Sequence, residues 1–358
     1  MPHVRPSLRV GALVAITALV ASGCAADPEP TPDPGGATET GGTVVLLTHD
    51  SFSLPDELVA EFEAATGYTL DQRGSGNAGE LTNGLVLAAG NPQGDVVFGV
   101  DNTFASRALA EGVFDPYRPD LPAGVADHLL PGDEDEALTP VDTGSVCVNI
   151  DTVWFAENDV VPPATLEDLL DPAYEGLFVL PGATTSSPGM AFLLATIAEY
   201  GERWPDYWTA LLANDAKLTS GWSDAYFVEF TQGGGDNASR PIVLSYDSSP
   251  AFTIGDDGES TTAALLHTCF RQVEYAGVLA GADNPEGARA VVDWLLSTEV
   301  QSALPTSMYV FPVRSDVDLP EDWASHAEQP SETLAVDPAE ITANRQQWLT
   351  TWTELISR

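Results

Sequence analysis

Short runs of apolar, often β-branched residues alternate along this chain with segments whose apolar positions recur every three or four residues. Thr43 to Leu47 (TVVLL), Tyr68 to Gln72, Asp95 to Gly99 (DVVFG), Gly144 to Ile150 (GSVCVNI), Phe178 to Leu180, Val243 to Tyr246 and Gln272 to Ala276 (QVEYA) read as buried strands. Between them lie helical patterns. The first runs to Gly67, with Ser53 as cap, Pro55 in the first turn, Asp56 in capping-box position, and Leu58, Val59 and Phe62 sharing one face. Others span Glu80 to Ala89, Pro162 to Leu170, Met190 to Tyr200, Pro285 to Leu296 and Pro338 to Ile356. In the last, Trp348 and Trp352 stand one turn apart and read as packing residues. Leu304 to Val313 reads as a loop.

Strands alternating with amphipathic helices imply α/β lobes, each a mostly parallel sheet flanked by helices. No internal repeat suggests a solenoid. Ligands of such sheets sit beyond the carboxyl ends of strands, where His49, Asp50, Asp101 and Asn102 fall, although an aspartate there also serves as a helix cap. The loop Gly74 to Gly79 lacks the Gly-Lys-Ser/Thr ending of a phosphate loop. Ser186 and Ser187 open the helix before Tyr200, so that its free amides and dipole suit an acceptor oxygen or an anion, or simply take a serine cap.

Charge narrows the partners. Thirteen lysines and arginines oppose 54 acids, for a formal net charge of −41. Such a field disfavours nucleic acid and anionic lipid and attracts cations, while also serving solubility.

Residues 1–24 read as an export signal: Arg5 and Arg9 precede the apolar run Val10 to Val20, too short for a membrane span, and small residues lead to Cys24. That end resembles a lipoprotein cleavage site, with Ala21 where leucine is usual, and makes Cys24 the expected lipid attachment. Residues 25–42 are rich in Pro, Gly and acids and read as a tether. Cys147 and Cys269 remain. An even pair in an exported protein suggests a disulfide, with two buried thiols as the alternative and a nucleophilic Cys147 as a third reading.

The chemistry concentrates between Thr219 and Phe252. Trp222, Tyr226, Tyr246 and Phe252 alternate there with Ser223, Asp224, Ser245, Asp247, Ser248 and Ser249. Aromatic faces attract and stack on a flat cation and carboxylates neutralise it, although aromatics of this size also fill cores.

The blocks GWSDAY, VLSYDSSPAF, LPTSMYVFPV at 304–313, THDSF at 48–52 and GVDN at 99–102 occur in one order and resemble the thiamine-binding subunit of ABC importers. The resemblance covers residue 43 to the C-terminus. It implies a type II periplasmic-binding-protein fold: a first lobe over 43–141, a second over 142–270, and a return of 271–358, with its C-terminal helix, to the first. The crossing strands would bring Cys147 and Cys269 together.

It also implies capture of thiamine by a monomer that closes on it, with no cofactor or metal, and delivery to a permease and its ATPase. The protein would be anchored through Cys24 on the outer face of the membrane. Asp101 would face the cation, Ser186 and Ser187 would supply donors, and Trp222, Tyr246, Phe252 and Tyr309 would stack, with His49, Asp50 and Asn102 nearby. His49, Phe252 and Tyr309 replace a Tyr, a Tyr and a Trp of better-known members. Thr184 stands where some members carry an Arg, so free thiamine is expected to bind better than its diphosphate. The competing readings are a thiaminase-like transferase using Cys147, and an iron- or polyamine-binding protein.

Overall fold

The computed structural model describes residues 41–358. The export signal, Cys24 and all but the last two residues of the tether lie outside the described residues. In chain order the first part contains β1 (Gly42–Thr48), α1 (Asp56–Thr66), β2 (Tyr68–Gly74), α2 (Ala78–Leu87), β3 (Val96–Asp101), α3 (Ala105–Ala110) and β4 (Phe114–Asp115). The middle contains β5 (Thr139–Asp151), α4 (Thr152–Glu157), β6 (Phe178–Pro181), α5 (Ser187–Tyr200), α6 (Trp204–Ala213), β7 (Lys217–Thr219), α7 (Trp222–Asp224), β8 (Ile242–Tyr246) and β9 (Thr262–Ala264). The last part contains β10 (Phe270–Leu279), α8 (Pro285–Leu295), α9 (Thr298–Ser307), β11 (Phe311–Pro312), α10 (Glu321–Ala324) and α11 (Pro338–Ile356).

The strands hydrogen-bond in the order β2-β1-β3-β10-β5-β8-β6-β7, so the two expected sheets are one continuous sheet. β1 pairs in parallel with β2 and β3, and β6 with β7 and β8. The long strands β5 and β10 run antiparallel between these two parallel groups. Each half has its own core. Val44, Leu46, Val96 and Phe98 pack under α1 and α8 on one face of the first half, and Leu81, Leu85, Val97 and Val100 on the other. Leu180, Met190, Phe192, Trp208 and Ile242 fill the second half.

Four sequence expectations need correction. The cap of α1 is Pro55, with no side-chain cap; the helix starts at Asp56, and Leu58 N–H donates to the Pro55 carbonyl, which leaves Ser53 outside the first turn. Pro162 to Leu170 is not an α-helix. The Asp168 carboxylate accepts from the N–H groups of Ala164 and Thr165 at 2.9 Å each while Thr165 Oγ1 accepts the Asp168 N–H at 3.2 Å, a reciprocal cap that starts the turn at Thr165 instead of Pro162, and only a single 3₁₀ turn follows at Asp168–Leu170. The predicted loop from Leu304 is helical through Ser307, with Pro305 inside the helix. α11 has the bounds expected of it, but it packs on the second half: Trp352 meets Trp208 edge to face at 5.6 Å, and Ile341 and Leu349 join the same core. Toward the first half, Arg345 donates through Nε to the Thr103 carbonyl at 3.0 Å and lies over the Phe104 ring at 4.4 Å.

Side by side, β5 and β10 bring Cys147 and Cys269 to a Cα separation of 4.2 Å, and the two form a disulfide. The bond closes a loop across 122 residues of sequence at the point where the chain passes between the halves. By loop-closure entropy it restricts the unfolded chain by about 4–5 kcal/mol. Urea unfolding with and without reductant is expected to show a lower midpoint for the reduced protein, and coincident curves would contradict this.

Candidate functional site

β1, β3, β5 and β10 end or cross at one level of the sheet, and there the polar residues gather. Asp101 closes β3, and the pairing sets it opposite Glu274 of β10, which in turn sits opposite Asp142 of β5. Directly opposed residues on neighbouring strands share a face, so these three carboxyls form a row across β3, β10 and β5. All are buried: Asp101 is 0 % exposed, Asp142 1 % and Glu274 6 %. Burial pushes the Asp101 carboxyl up, against the nearby Ser187 hydroxyl and the hydrogen bonds from Thr103 that pull it down. Burial, followed by the neighbouring Glu274, pushes Asp142 well above the usual carboxylate range.

His49, one residue beyond β1, closes the row. Its Nδ1 accepts the Ser51 N–H at 3.2 Å, and its Nε2 lies 3.4 Å from Glu274 Oε1 without an aligned hydrogen bond. Gly99 makes room for the ring: its φ of 100° suits glycine, and a Cβ there would fall 2.2 Å from His49 Cδ2. Burial alone would lower the imidazole pKa, but Glu274, with Asp50 and Asp101, outweighs it and the net direction is up.

Above the row opens a cavity of about 300 Å³, the lower end of the range for small-molecule sites. The first half contributes His49, Asp50, Ser51, Asn77 and Ala78, with Glu274 below and Tyr309 at the side. The second half contributes Ser187, Trp222, Tyr226, Phe227, Tyr246, Ser249 and Phe252. Among the described residues lining it there is no lysine or arginine.

The aromatic wall is held from behind. Trp222 begins α7, which continues as a wide π-helical turn, Ala225–Glu229, and brings Tyr226 under the indole at 5.1 Å and 22°. Trp222 Nε1 donates to Ser245 Oγ at 3.0 Å, and Ser245 Oγ bonds Ser249 Oγ at 2.7 Å, so the hydroxyls of the stretch fix the edge of the ring. Tyr246 meets Trp222 edge to face at 6.2 Å and donates to Gln272 Oε1 at 3.3 Å. Its phenol, raised well above the ordinary range by burial and by Glu274, stays neutral. Tyr309 has φ 56°, a left-handed conformation unusual for tyrosine, and its carbonyl accepts the Ser248 hydroxyl. That backbone turn sets Tyr309 against Phe252 at 5.0 Å, edge to face.

The two walls also touch. Trp222 N–H donates to Asn77 Oδ1 at 3.1 Å, and the first N–H groups of α2, from Gly79 and Glu80, donate to the Thr185 carbonyl at 3.0 and 3.3 Å. A Cβ on Gly79 would lie 2.7 Å from that carbonyl, so the approach depends on glycine. These bonds satisfy helix amides that α2 cannot satisfy itself.

The family of bacterial extracellular solute-binding proteins matches residues 57–331. The chain belongs to that family. The thiamine-binding periplasmic protein of Salmonella typhimurium (strain LT2) is 30% identical over 324 residues, covering 88% of this chain and 94% of its own. The protein of the same name from Escherichia coli (strain K12) matches over the same extent at the same identity. A solved periplasmic thiamin binding protein superposes with a TM-score of 0.77 at 28% identity over 90% of this chain and 98% of its own. Iron-bound HitA from Pseudomonas aeruginosa, at 18% identity and a TM-score of 0.65, shares the fold.

In this solute-binding protein Trp222, Tyr246, Phe252, Tyr309, His49, Asp50 and Ser187 do converge on one cavity. Asp101 does not reach its surface. Its Oδ1 accepts from Thr103 N, Thr103 Oγ1 and Phe104 N, as a cap for the turn into α3, and its Oδ2 lies without a partner beneath Ser187 and Glu274. Asn102 faces away: its side chain donates to Arg271 O and accepts from Val273 N, clamping β3 to β10. Ser186 is fully buried behind Ser187 and is not part of the lining. The acid that does line the cavity is Glu274, and sequence reasoning passed over it because QVEYA reads as a plain crossing strand. An acid inside an otherwise apolar buried strand was the available signal. Asn77, Phe227 and Ser51 were also missed.

The row predicts a pH dependence of stability. A carboxyl whose pKa is higher folded than unfolded binds more protons in the native state, so its contribution falls as pH rises above about 4, the unfolded value. Asp142→Asn, which removes the buried charge and keeps the shape, is expected to raise the thermal midpoint at pH 8 and to change it little at pH 4. Equal destabilisation at both pH values would contradict the row's repulsion.

Proposed function

We propose that this protein captures thiamine by closure of its two halves and delivers it to an ABC permease and its ATPase, making and breaking no bond. The observation that carries the reading is the pairing of an aromatic wall with buried acid in a cavity whose described lining holds neither lysine nor arginine. A thiazolium is permanently charged and flat. Outside water it needs π faces and a carboxylate, which Trp222, Tyr246, Phe252 and Tyr309 on the sides and Glu274 below supply. Asp101, from beneath, adds to the negative potential of Glu274, and Ser187, Asn77 and Asp50 offer the donors and acceptors that an aminopyrimidine requires. The relatives named as thiamine-binding periplasmic proteins support the same ligand.

The transferase reading loses its nucleophile, because the Cys147 sulfur is engaged with Cys269. Placement outside the cytoplasm follows the periplasmic relatives, and the anchor on Cys24 belongs to the same proposal. Among the described residues no helix is long and apolar enough to cross a membrane.

Mass spectrometry of small molecules released from the purified protein is expected to find thiamine. In calorimetry, thiamine should bind tighter than its diphosphate, since the described lining offers a pyrophosphate no guanidinium. Glu274→Gln should weaken thiamine by about 10- to 100-fold, the cost of removing one partner of a desolvated charge pair. Tighter binding of the diphosphate, or an unchanged affinity in Glu274→Gln, would overturn the assignment.

A further inference from the structure

Among the described residues lining the cavity, one ionisable group can become a cation, and it faces the same carboxylate as the ligand. His49 Nε2 lies 3.4 Å from Glu274 Oε1, and both side chains line the cavity while being more than nine-tenths buried. The other charged groups acting on the imidazole are acids, Asp50 beside it in sequence and Asp101 at the end of β3, and Asp142 on β5 stands across from Glu274 in turn. The phenol of Tyr246 on β8, which stays neutral, lines the same cavity and acts on Glu274. Because Nδ1 accepts from Ser51 N–H, the neutral ring carries its hydrogen on Nε2, toward Glu274. Protonation costs that Ser51 bond and gains a full charge against the carboxylate, and in an empty, desolvated cleft the second effect is the larger.

We propose that His49 is a built-in competitor for the transported cation: as imidazolium it occupies the Glu274 carboxylate of the empty cleft, and capture of a cation expels its proton. The proposal rests on the cationic-ligand reading and deepens it by making loading dependent on pH. A second positive charge beside a bound thiazolium is repelled, so the ligand favours neutral His49. By linkage, affinity falls by about tenfold for each pH unit below the point at which His49 of the empty cleft titrates. The cleft therefore loads progressively more poorly as the pH falls.

Calorimetry of thiamine binding near pH 6 in two buffers of different ionisation enthalpy counts the protons released. The wild type is expected to release close to one proton and His49→Gln close to none, with a correspondingly flatter dependence of affinity on pH. Equal proton release by the two proteins would assign the effect to the carboxyl row and overturn the proposal. A second measurement needs neither ligand nor that variant's folding. The His49 imidazole, titrated by NMR in the empty protein, should lose its proton at lower pH in Glu274→Gln than in the wild type, and an unchanged titration would also overturn the proposal. Absence of thiamine binding at every pH would instead refute the choice of ligand, and the imidazole titration would still decide whether His49 and Glu274 share a charge.

Discussion

Carboxyl groups from three adjacent strands, Asp101, Glu274 and Asp142, lie level with one another in the interior of this protein. Placing like charges side by side out of water is unfavourable unless something neutralises them. Three devices answer that constraint. Protons stay on longer than usual, as the upward shifts of Asp101 and Asp142 express. Donors are supplied locally, as Thr103 and Phe104 do for Asp101. Positive charge is brought near: Arg345 acts on Asp101 from behind, its own pKa lowered to about 10 by burial, and His49 stands on the cavity side. What remains is a negative floor under an aromatic chamber, which is the environment a permanent organic cation seeks.

The same strands that align the acids also join the halves. β5 and β10 pair along most of their length, are tied by the Cys147–Cys269 disulfide, and feed Glu274 into the cavity. The walls, by contrast, meet through a few directional bonds, from Asn77 to Trp222 and from the start of α2 to Thr185. Net hydrogen-bond contributions of about 1 kcal/mol each make such a contact reversible, whereas the strand pair is not. A binding protein that must close on its cargo and release it needs that asymmetry.

Much of this was legible in the sequence because its signals are local. Apolar runs located every long strand, and the Pro338 start fixed α11 because proline fits the first turn of a helix. The clustering of Trp222, Tyr246 and Phe252 announced a cavity because those rings lie close in sequence and share backing hydroxyls. What escaped depends on register and packing. Whether Asp101 or Glu274 faces the ligand is decided by which strand lies in the middle of the row, and no local pattern encodes that order. α11 presents apolar residues that either half could bury, and the fit of Trp352 on Trp208, with Ile341 and Leu349 in the same core, selects the second. Ser53 and Pro162 carried correct capping chemistry in places where nearby proline and Asp168 chose a different geometry.

The central claim is that buried carboxylate charge, more than shape, holds the ligand. It is tested most directly by comparing, at one pH and salt concentration, the affinity of this protein for thiamine with that for its uncharged thiophene isostere. The carboxyl row predicts that the neutral molecule binds weaker by about 100-fold, the scale of a desolvated charge interaction of roughly 3 kcal/mol. Equal affinities would mean that the rings alone do the holding and that the row has no part in recognition.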